Sequence, residues 1–300
     1  IQLETQQHMI TGSLVALVTP MHADGSIHWE ALANLIDMHI EQGTSAIVAV
    51  GTTGESATLD VDEHCAVIKY IVDRAAGKIP VVAGTGANAT LEAIELTRAA
   101  KDVGAAACLL VTPYYNKPTQ EGIHDHYAEV ARQTGFPLVV YNIPGRTASN
   151  IEPETLARLA ELPEIVGVKE ASGDLDQIAH VIALSADSFR VLSGDDALTL
   201  PLLSVGGHGC ISTTGNLVPD QMVALDQAWR DGDTARALQL HQQMMPLFDV
   251  LFCETNPIPI KAALALMGWS TNEIRLPLTP LTQGNRDRLE VVLKETGVLS

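Results

Sequence analysis

Ile165-Val166-Gly167-Val168-Lys169-Glu170-Ala171-Ser172-Gly173 is an apolar run that ends in a lysine and opens into a glycine-bearing loop. Such a run reads as a strand buried on both faces, the kind found in parallel sheets. A lone ammonium at its end is costly to desolvate, so its pKa is expected to fall toward neutrality and leave a usable amine nucleophile. Neutral amines attack ketones and aldehydes to form Schiff bases. An ordinary strand-end lysine snorkels to solvent instead, and the surrounding chain decides between the two.

Seven further runs of the same kind flank it. With it they occupy 14–20, 46–51, 80–86, 106–113, 137–144, 165–171, 189–195 and 209–215. Helical spacing lies between them: Leu32, Leu35, Ile36, His39 and Ile40 recur at i, i+3, i+4, i+7 and i+8, and Ile68, Ile71, Val72 and Ala75 repeat the stripe. Asp60 and Glu63 read as a capping box ahead of the second helix. Strict alternation of strand and helix implies a parallel sheet. Eight such units predict an α/β fold of the (β/α)8 TIM barrel type, over residues 9–231. Beyond Asp231 no strand pattern remains. Leu240, Met244, Leu247 and Leu251 mark a helix, and further helices follow Asn256-Pro257 and Pro280, so 232–300 reads as a packed C-terminal helical extension. Residues 1–8 are polar and patternless and read as a cloning-derived leader, with Met9 the natural start.

Composition narrows the function. Of 300 residues, 46% are hydrophobic but only 4% aromatic, so aliphatic side chains must fill the core. A formal charge of −18 argues against nucleic-acid and anionic-membrane partners, and obliges any acidic substrate to find a local positive group. Cys65, Cys108, Cys210 and Cys253 form no CxxC pair, and three of them sit in apolar stretches, as reduced thiols of a cytoplasmic protein do. No stretch approaches the roughly 20 apolar residues of a membrane span.

In barrels of this type, reactive groups sit at the carboxyl ends of the strands. There the chain places Thr52 and Thr53, Tyr114 and Tyr115, Tyr141, Arg146 and Lys169. The turn from Gly51 to Ser56 is rich in backbone N–H groups and hydroxyls and suits a carboxylate. Tyr141, one strand from the lysine, is placed either to shuttle protons or simply to bond a buried carbonyl. Of seven lysines only Lys169 ends a strand; the others, Lys261 among them, are expected to be solvated on helices or loops. The Gly84–Ala89 stretch fits a loose dinucleotide pattern but lacks the acidic ribose partner. His124-Asp125-His126 reads as a solvated helix rather than a metal site, and Asp195-Asp196 as a loop-shaping pair. No cofactor and no metal are expected.

Five motifs together carry a family likeness: Gly51 to Ala57, Val111 to Asn116, Tyr141 to Thr147, Gly167 to Ala171 and Ser193 to Asp196. In order and at the expected strand ends, they closely resemble the 4-hydroxy-tetrahydrodipicolinate synthases (dihydrodipicolinate synthases) of the N-acetylneuraminate lyase superfamily. The lysine, the tyrosine and the Gly-Thr-Thr-Gly-Glu turn are superfamily features; Arg146 after Pro144-Gly145 points to the synthase branch. The resemblance implies a lyase that condenses pyruvate with L-aspartate 4-semialdehyde, on the route to diaminopimelate and lysine. The alternatives are a pyruvate-yielding sugar-acid aldolase or dehydratase, and a catalytically silent ligand sensor.

The resemblance also implies residue roles. Lys169 forms the imine, Thr52 and Thr53 hold the pyruvate carboxylate, and Tyr141, Thr52 and Tyr115 form a proton relay, with Tyr115 reaching into a neighbouring subunit. Arg146 binds the semialdehyde carboxylate, and the carbonyls of Gly194 and Ile211 line the pocket. L-Lysine is implied as a feedback inhibitor at a dimer interface, on Ser56, Ala57, His64, Asn88, Glu92 and Tyr114. Val61 stands where sensitive relatives carry a histidine, so inhibition is expected to be weaker. The implied assembly is a homotetramer, a dimer of dimers.

Overall fold

Eight short strands carry the architecture: β1 (Gly12–Ala16), β2 (Ala46–Ala49), β3 (Val81–Gly84), β4 (Ala107–Val111), β5 (Leu138–Asn142), β6 (Ile165–Glu170), β7 (Arg190–Ser193) and β8 (Gly209–Ser212). The computed structural model describes residues 10–300, and the expected leader lies outside the described residues. Each strand pairs in parallel with the next, and β8 closes onto β1, so the expected TIM barrel forms. Each apolar run predicted from sequence extends past the carboxyl end of its strand. The reason is burial beyond the ladder: Leu17, Val18 and Val50 follow the last ladder pair of their strands and are each 1% exposed, packed in the core shared with the helices.

Alternation along the strands separates two apolar groups. Leu14, Ala16, Ala46, Val48, Ala107, Leu109, Val139 and Ile211 fill the barrel interior. Val15, Ile47, Val81, Cys108, Val140 and Val191 belong to the larger core shared with the surrounding helices. Aliphatic residues do most of this filling, as the low aromatic content required.

One irregularity decides which way the key lysine points. Leu138 of β5 pairs with Ile165 of β6, but the next residue, Val139, pairs with Gly167, leaving Val166 as an extra residue. Because side chains alternate with period two, one extra residue exchanges the faces of everything after it. Val166 packs in the interior and Val168 in the outer core. Lys169 therefore shares the inward face with its register partner Tyr141, and Glu170 faces outward with Asn142. Without the bulge, the carboxylate would occupy the interior and the ammonium would be left among the helices.

The helices Trp29–Glu41 and Val61–Ala75 carry the stripes read from sequence. Asp60 caps the second by accepting from the Glu63 N–H at 2.8 Å. The other half of the capping box is weakened. The Glu63 carboxylate is claimed by Arg275, at 2.6 Å from Nη1 and 2.7 Å from Nη2, with the Asp60 amide a minor contributor. An arginine fork offers a carboxylate two charge-assisted bonds where the box offers one neutral bond. After β8 come the helices Pro219–Arg230, Thr234–Val250, Ile258–Leu266 and Gln283–Glu295. No helix among the described residues is long and apolar enough to cross a membrane.

Two sequence expectations are corrected. His126 is not solvated: it is 5% exposed, with Nδ1 2.9 Å from the Thr90 hydroxyl and its ring edge-on to Tyr127. Lys261 is not solvated either. It is 1% exposed and ion-paired with the equally hidden Glu55. A buried charge persists only when paired and hydrogen-bonded, and that partner is 206 residues away in sequence.

Candidate active site

Lys169 and Tyr141 meet at the carboxyl end of the barrel, the lysine Nζ 4.3 Å from the tyrosine ring centroid. Both are nearly buried, at 6% and 5% exposed. A second tyrosine, Tyr127, is fully buried nearby and its hydroxyl donates to the Leu110 carbonyl at 2.9 Å. Gly194 makes room for the lysine stem, since a Cβ there would lie 3.0 Å from Lys169 Cε and 2.8 Å from Ala171 Cβ. Ile211 packs in the same interior as Tyr141. On the outward face, Glu170 accepts from Asn142 Nδ2 at 3.1 and 3.2 Å and from the Ser172 N–H at 2.7 Å. Burial pushes the Glu170 carboxyl above its ordinary range, and these donors oppose the rise. The loop after the lysine is thereby anchored from behind.

The turn after β2 is held in an uncommon conformation. Val50 has φ of 53°, which a β-branched residue avoids at a cost of about 1–3 kcal/mol. Its backbone sits against β3 so closely that a Cβ on Gly84 would lie 2.2 Å from the Val50 carbonyl oxygen. This explains the glycine that gave the dinucleotide-like pattern: it permits barrel packing. Beyond Val50, Thr53 is buried and Thr52 half-buried, and the Glu55 N–H donates to the Thr52 carbonyl at 3.1 Å.

Tyr114 and Tyr115 follow β4. Tyr115 has φ of 73° and is 89% exposed, projecting away from its own chain. The turn is pinned by a reciprocal pair: Asn88 Nδ2 donates to the Tyr114 carbonyl at 3.1 Å, and Asn116 Nδ2 to the Asn88 carbonyl at 2.8 Å. Arg146, in the short helix Pro144–Thr147, donates from Nη2 to the Asn256 carbonyl at 3.0 Å, which leaves its other donors for a ligand.

A cavity of about 390 Å³ joins several of these groups. Thr52, Arg146, Ser56, Ala57, His64, Glu92 and Tyr114 are all in its lining. Val61 lines it too, and is 59% exposed. Asn88 is not part of this wall and serves the tyrosine turn instead. His64 donates or accepts through Nε2 at 2.8 Å from the Gly84 carbonyl; since a carbonyl only accepts, Nε2 carries the proton and Nδ1 is left as acceptor. Burial lowers the His64 pKa, and burial raises that of the Tyr114 phenol with Glu92 adding to it, so both rings are neutral near pH 7.

Sequence reasoning missed Glu55, Asn256 and Lys261. Asn256 is 7% exposed and donates from Nδ2 to Thr53 Oγ1 at 3.0 Å, bringing the C-terminal segment into the site. In sequence, Asn256-Pro257 signals only a helix start. Asp196 ties the loop after β7 to the one after β8, accepting from Thr214 N and Oγ1 at 2.8 and 2.7 Å. Glu121, His124 and Asp125 approach one another on a helix surface, where Glu121 is already paired with Arg158.

Known proteins match the chain over nearly its whole length. The family model of the Dihydrodipicolinate synthetase family matches residues 9–296. The 4-hydroxy-tetrahydrodipicolinate synthase of Ectopseudomonas mendocina (strain ymp) is 53% identical over 292 residues, spanning 97% of this chain and 100% of the relative. The chloride-inhibited dihydrodipicolinate synthase of Acinetobacter baumannii, solved with pyruvate, superposes with a TM-score of 0.95 at 49% identity, covering 97% of this chain and 100% of the other. The enzyme from Cyanidioschyzon merolae with lysine bound gives 0.95 at 41% identity over the same shares.

Proposed function

The chain belongs to the dihydrodipicolinate synthetase family and is a lyase that condenses pyruvate with L-aspartate 4-semialdehyde, and on that premise we propose how its own residues divide the work. Lys169 attacks C2 of pyruvate; the carbinolamine loses water and leaves an imine. The observation that carries this assignment is the bulge-directed lysine, buried against Tyr141 with Gly194 clearing its path. The Thr52-Thr53 turn holds the pyruvate carboxylate. Tyr141, Thr52 and Tyr115 pass the protons that addition and dehydration require.

Loss of a proton from C3 turns the imine into an enamine, whose carbon attacks the aldehyde of the second substrate. Arg146 holds that substrate's carboxylate, supplying the positive group that a chain of charge −18 needs. The amino group that the semialdehyde brought with it then attacks the imine carbon, closes the ring and releases the Lys169 amine to give 4-hydroxy-tetrahydrodipicolinate. The exposure of Tyr115 supports a role in a neighbouring subunit's site, within a homotetramer built as a dimer of dimers. Ser56, Ala57, His64, Glu92 and Tyr114, on one cavity, with Asn88 bracing the tyrosine, form the place where L-lysine acts as a feedback inhibitor.

Treatment with pyruvate and borohydride tests the central assignment, because an imine is reducible and an unmodified amine is not. The expected result is a pyruvate-derived adduct on Lys169, alongside turnover in a reductase-coupled assay with aspartate semialdehyde. An adduct on Lys261 instead, or none, would overturn it.

A further inference from the structure

The chain that follows the barrel grips the turn after β2 at two points. Asn256 reaches Thr53 through its side chain at 3.0 Å, and its carbonyl holds Arg146 at the same distance. Five positions on, Lys261 donates to Glu55 and, at 3.1 Å, to the Thr19 carbonyl. The Glu55 carboxylate also accepts from the Arg275 N–H at 3.2 Å, and Thr19 Oγ1 donates to the Gly54 carbonyl at 2.7 Å. Thr53, Gly54 and Glu55 are thus each tied to a partner outside the turn.

A pair this hidden is a poor device for stability. Removing both charges from water is costly, and well-packed apolar residues of similar volume commonly do as well or better. What the pair supplies is direction, which an apolar contact does not. Direction matters here because backbone and hydroxyl donors hold a carboxylate well only when aimed in advance. The turn also needs external support, since Val50 and Glu55 bracket it at φ of 53° and 59°.

We propose that Lys261, through Glu55, and Asn256, through Thr53, are positioning residues that set the Thr52-Thr53 turn for the pyruvate carboxylate, Asn256 fixing Arg146 relative to it. This rests on the assignment of Thr52-Thr53 to that carboxylate. Burial draws the Lys261 ammonium below its ordinary pKa, and Glu55 opposes the shift, so the pair is coupled as the contact implies.

The test compares Lys261→Met, the double variant Glu55→Gln/Lys261→Met, Asn256→Ala and a reference, Thr53→Val, in the full-length enzyme. Each is measured for kcat, for KM with both substrates and for thermal stability. The expected result is a pyruvate KM raised about tenfold in Lys261→Met with kcat changed far less, the signature of lost binding. The double variant strands no charge, so it should regain thermal stability yet keep the raised pyruvate KM. Asn256→Ala should raise the KM of both substrates. If Lys261→Met does not fold, the double variant and Asn256→Ala carry the test. A normal pyruvate KM in both, with a raised one in Thr53→Val, overturns the positioning role alone. A normal pyruvate KM in Thr53→Val overturns the carboxylate assignment and this inference with it.

Discussion

Lys169 and Tyr141 are register partners on adjacent strands, and the lysine Nζ rests over the tyrosine ring at 4.3 Å from its centroid. The ring therefore has two separable roles. Its face attracts and orients the ammonium; its hydroxyl is the proposed proton carrier. Tyr141→Phe keeps the first and removes the second. We expect kcat to fall about a hundredfold or more, while pyruvate and borohydride still label Lys169. Wild-type turnover in Tyr141→Phe would remove the hydroxyl from the relay.

Among the described residues the Arg146 side chain makes one hydrogen bond, from Nη2 to the Asn256 carbonyl, so its loss should be felt by substrate more than by fold. Arg146→Ala should weaken use of aspartate semialdehyde by about ten- to a hundredfold, the worth of roughly 1.5–3 kcal/mol for a charge-assisted contact. Pyruvate trapping on Lys169 should remain close to wild type. An equal loss in trapping would reassign Arg146 to the first substrate.

Much of this was legible in the sequence, for physical reasons. Strand and helix periods are local, so the eight units and the residues at their carboxyl ends could be read directly. The strand ends overshot because Leu17 and Val50 stay buried past the last ladder pair, and composition reports only burial. The face of Lys169 was not legible: it depends on one unpaired residue, Val166, and two registers of the same letters look alike. Lys261 was misplaced because its partner Glu55 is distant in the chain, and a lone lysine on a helix gives no sign of it. His126 was misread from its charged neighbours; its own position faces the Thr90 side of the helix packing.

Tyr115 offers a test of assembly. At 89% exposed and with positive φ, it is poorly placed to serve its own chain. If it serves a partner's site, mixing Tyr115→Phe with Lys169→Ala should restore activity in hybrid dimers, where one site has both residues intact. Absence of recovery after demonstrated subunit exchange would return Tyr115 to its own subunit or exclude it from the mechanism.

Acid stability should depend on His126. Burial lowers its pKa from 6.5 in the unfolded chain to about 4, and its Nε2 has no hydrogen-bond partner. Between those values the unfolded chain binds more protons than the folded one. The stabilisation is therefore complete above about pH 6.5 and is lost as pH falls toward 4, by roughly 1.4 kcal/mol per pH unit at most. His39, lowered to about 3 by burial, adds to the same trend. Urea midpoints of His126→Gln measured from pH 8 to 4 should fall less steeply than those of the wild type. Parallel curves would show that the acid sensitivity comes from elsewhere.

Lysine inhibition can be argued from the polar groups that line the cavity. His64 is neutral with Nδ1 as its acceptor, Ser56 offers a hydroxyl, and both suit an ammonium; Glu92 supplies a carboxylate for a second one. Val61 stands on the same wall and contributes no polar atom, where the family resemblance implies a histidine in lysine-sensitive members. One polar contact is worth about 0.5–1.5 kcal/mol, or a few-fold to about tenfold in affinity. Inhibition is thus expected to be weaker by that factor than with a polar residue at this position, and Val61→His should strengthen it correspondingly. Because Tyr114 touches this cavity and precedes Tyr115, occupancy should act on the proton relay rather than compete for Lys169. Inhibition should then be partial and should persist at saturating pyruvate. Unchanged activity at millimolar lysine, with no heat of binding by calorimetry in either the wild type or Val61→His, would reject the regulatory site and leave the catalytic assignment intact.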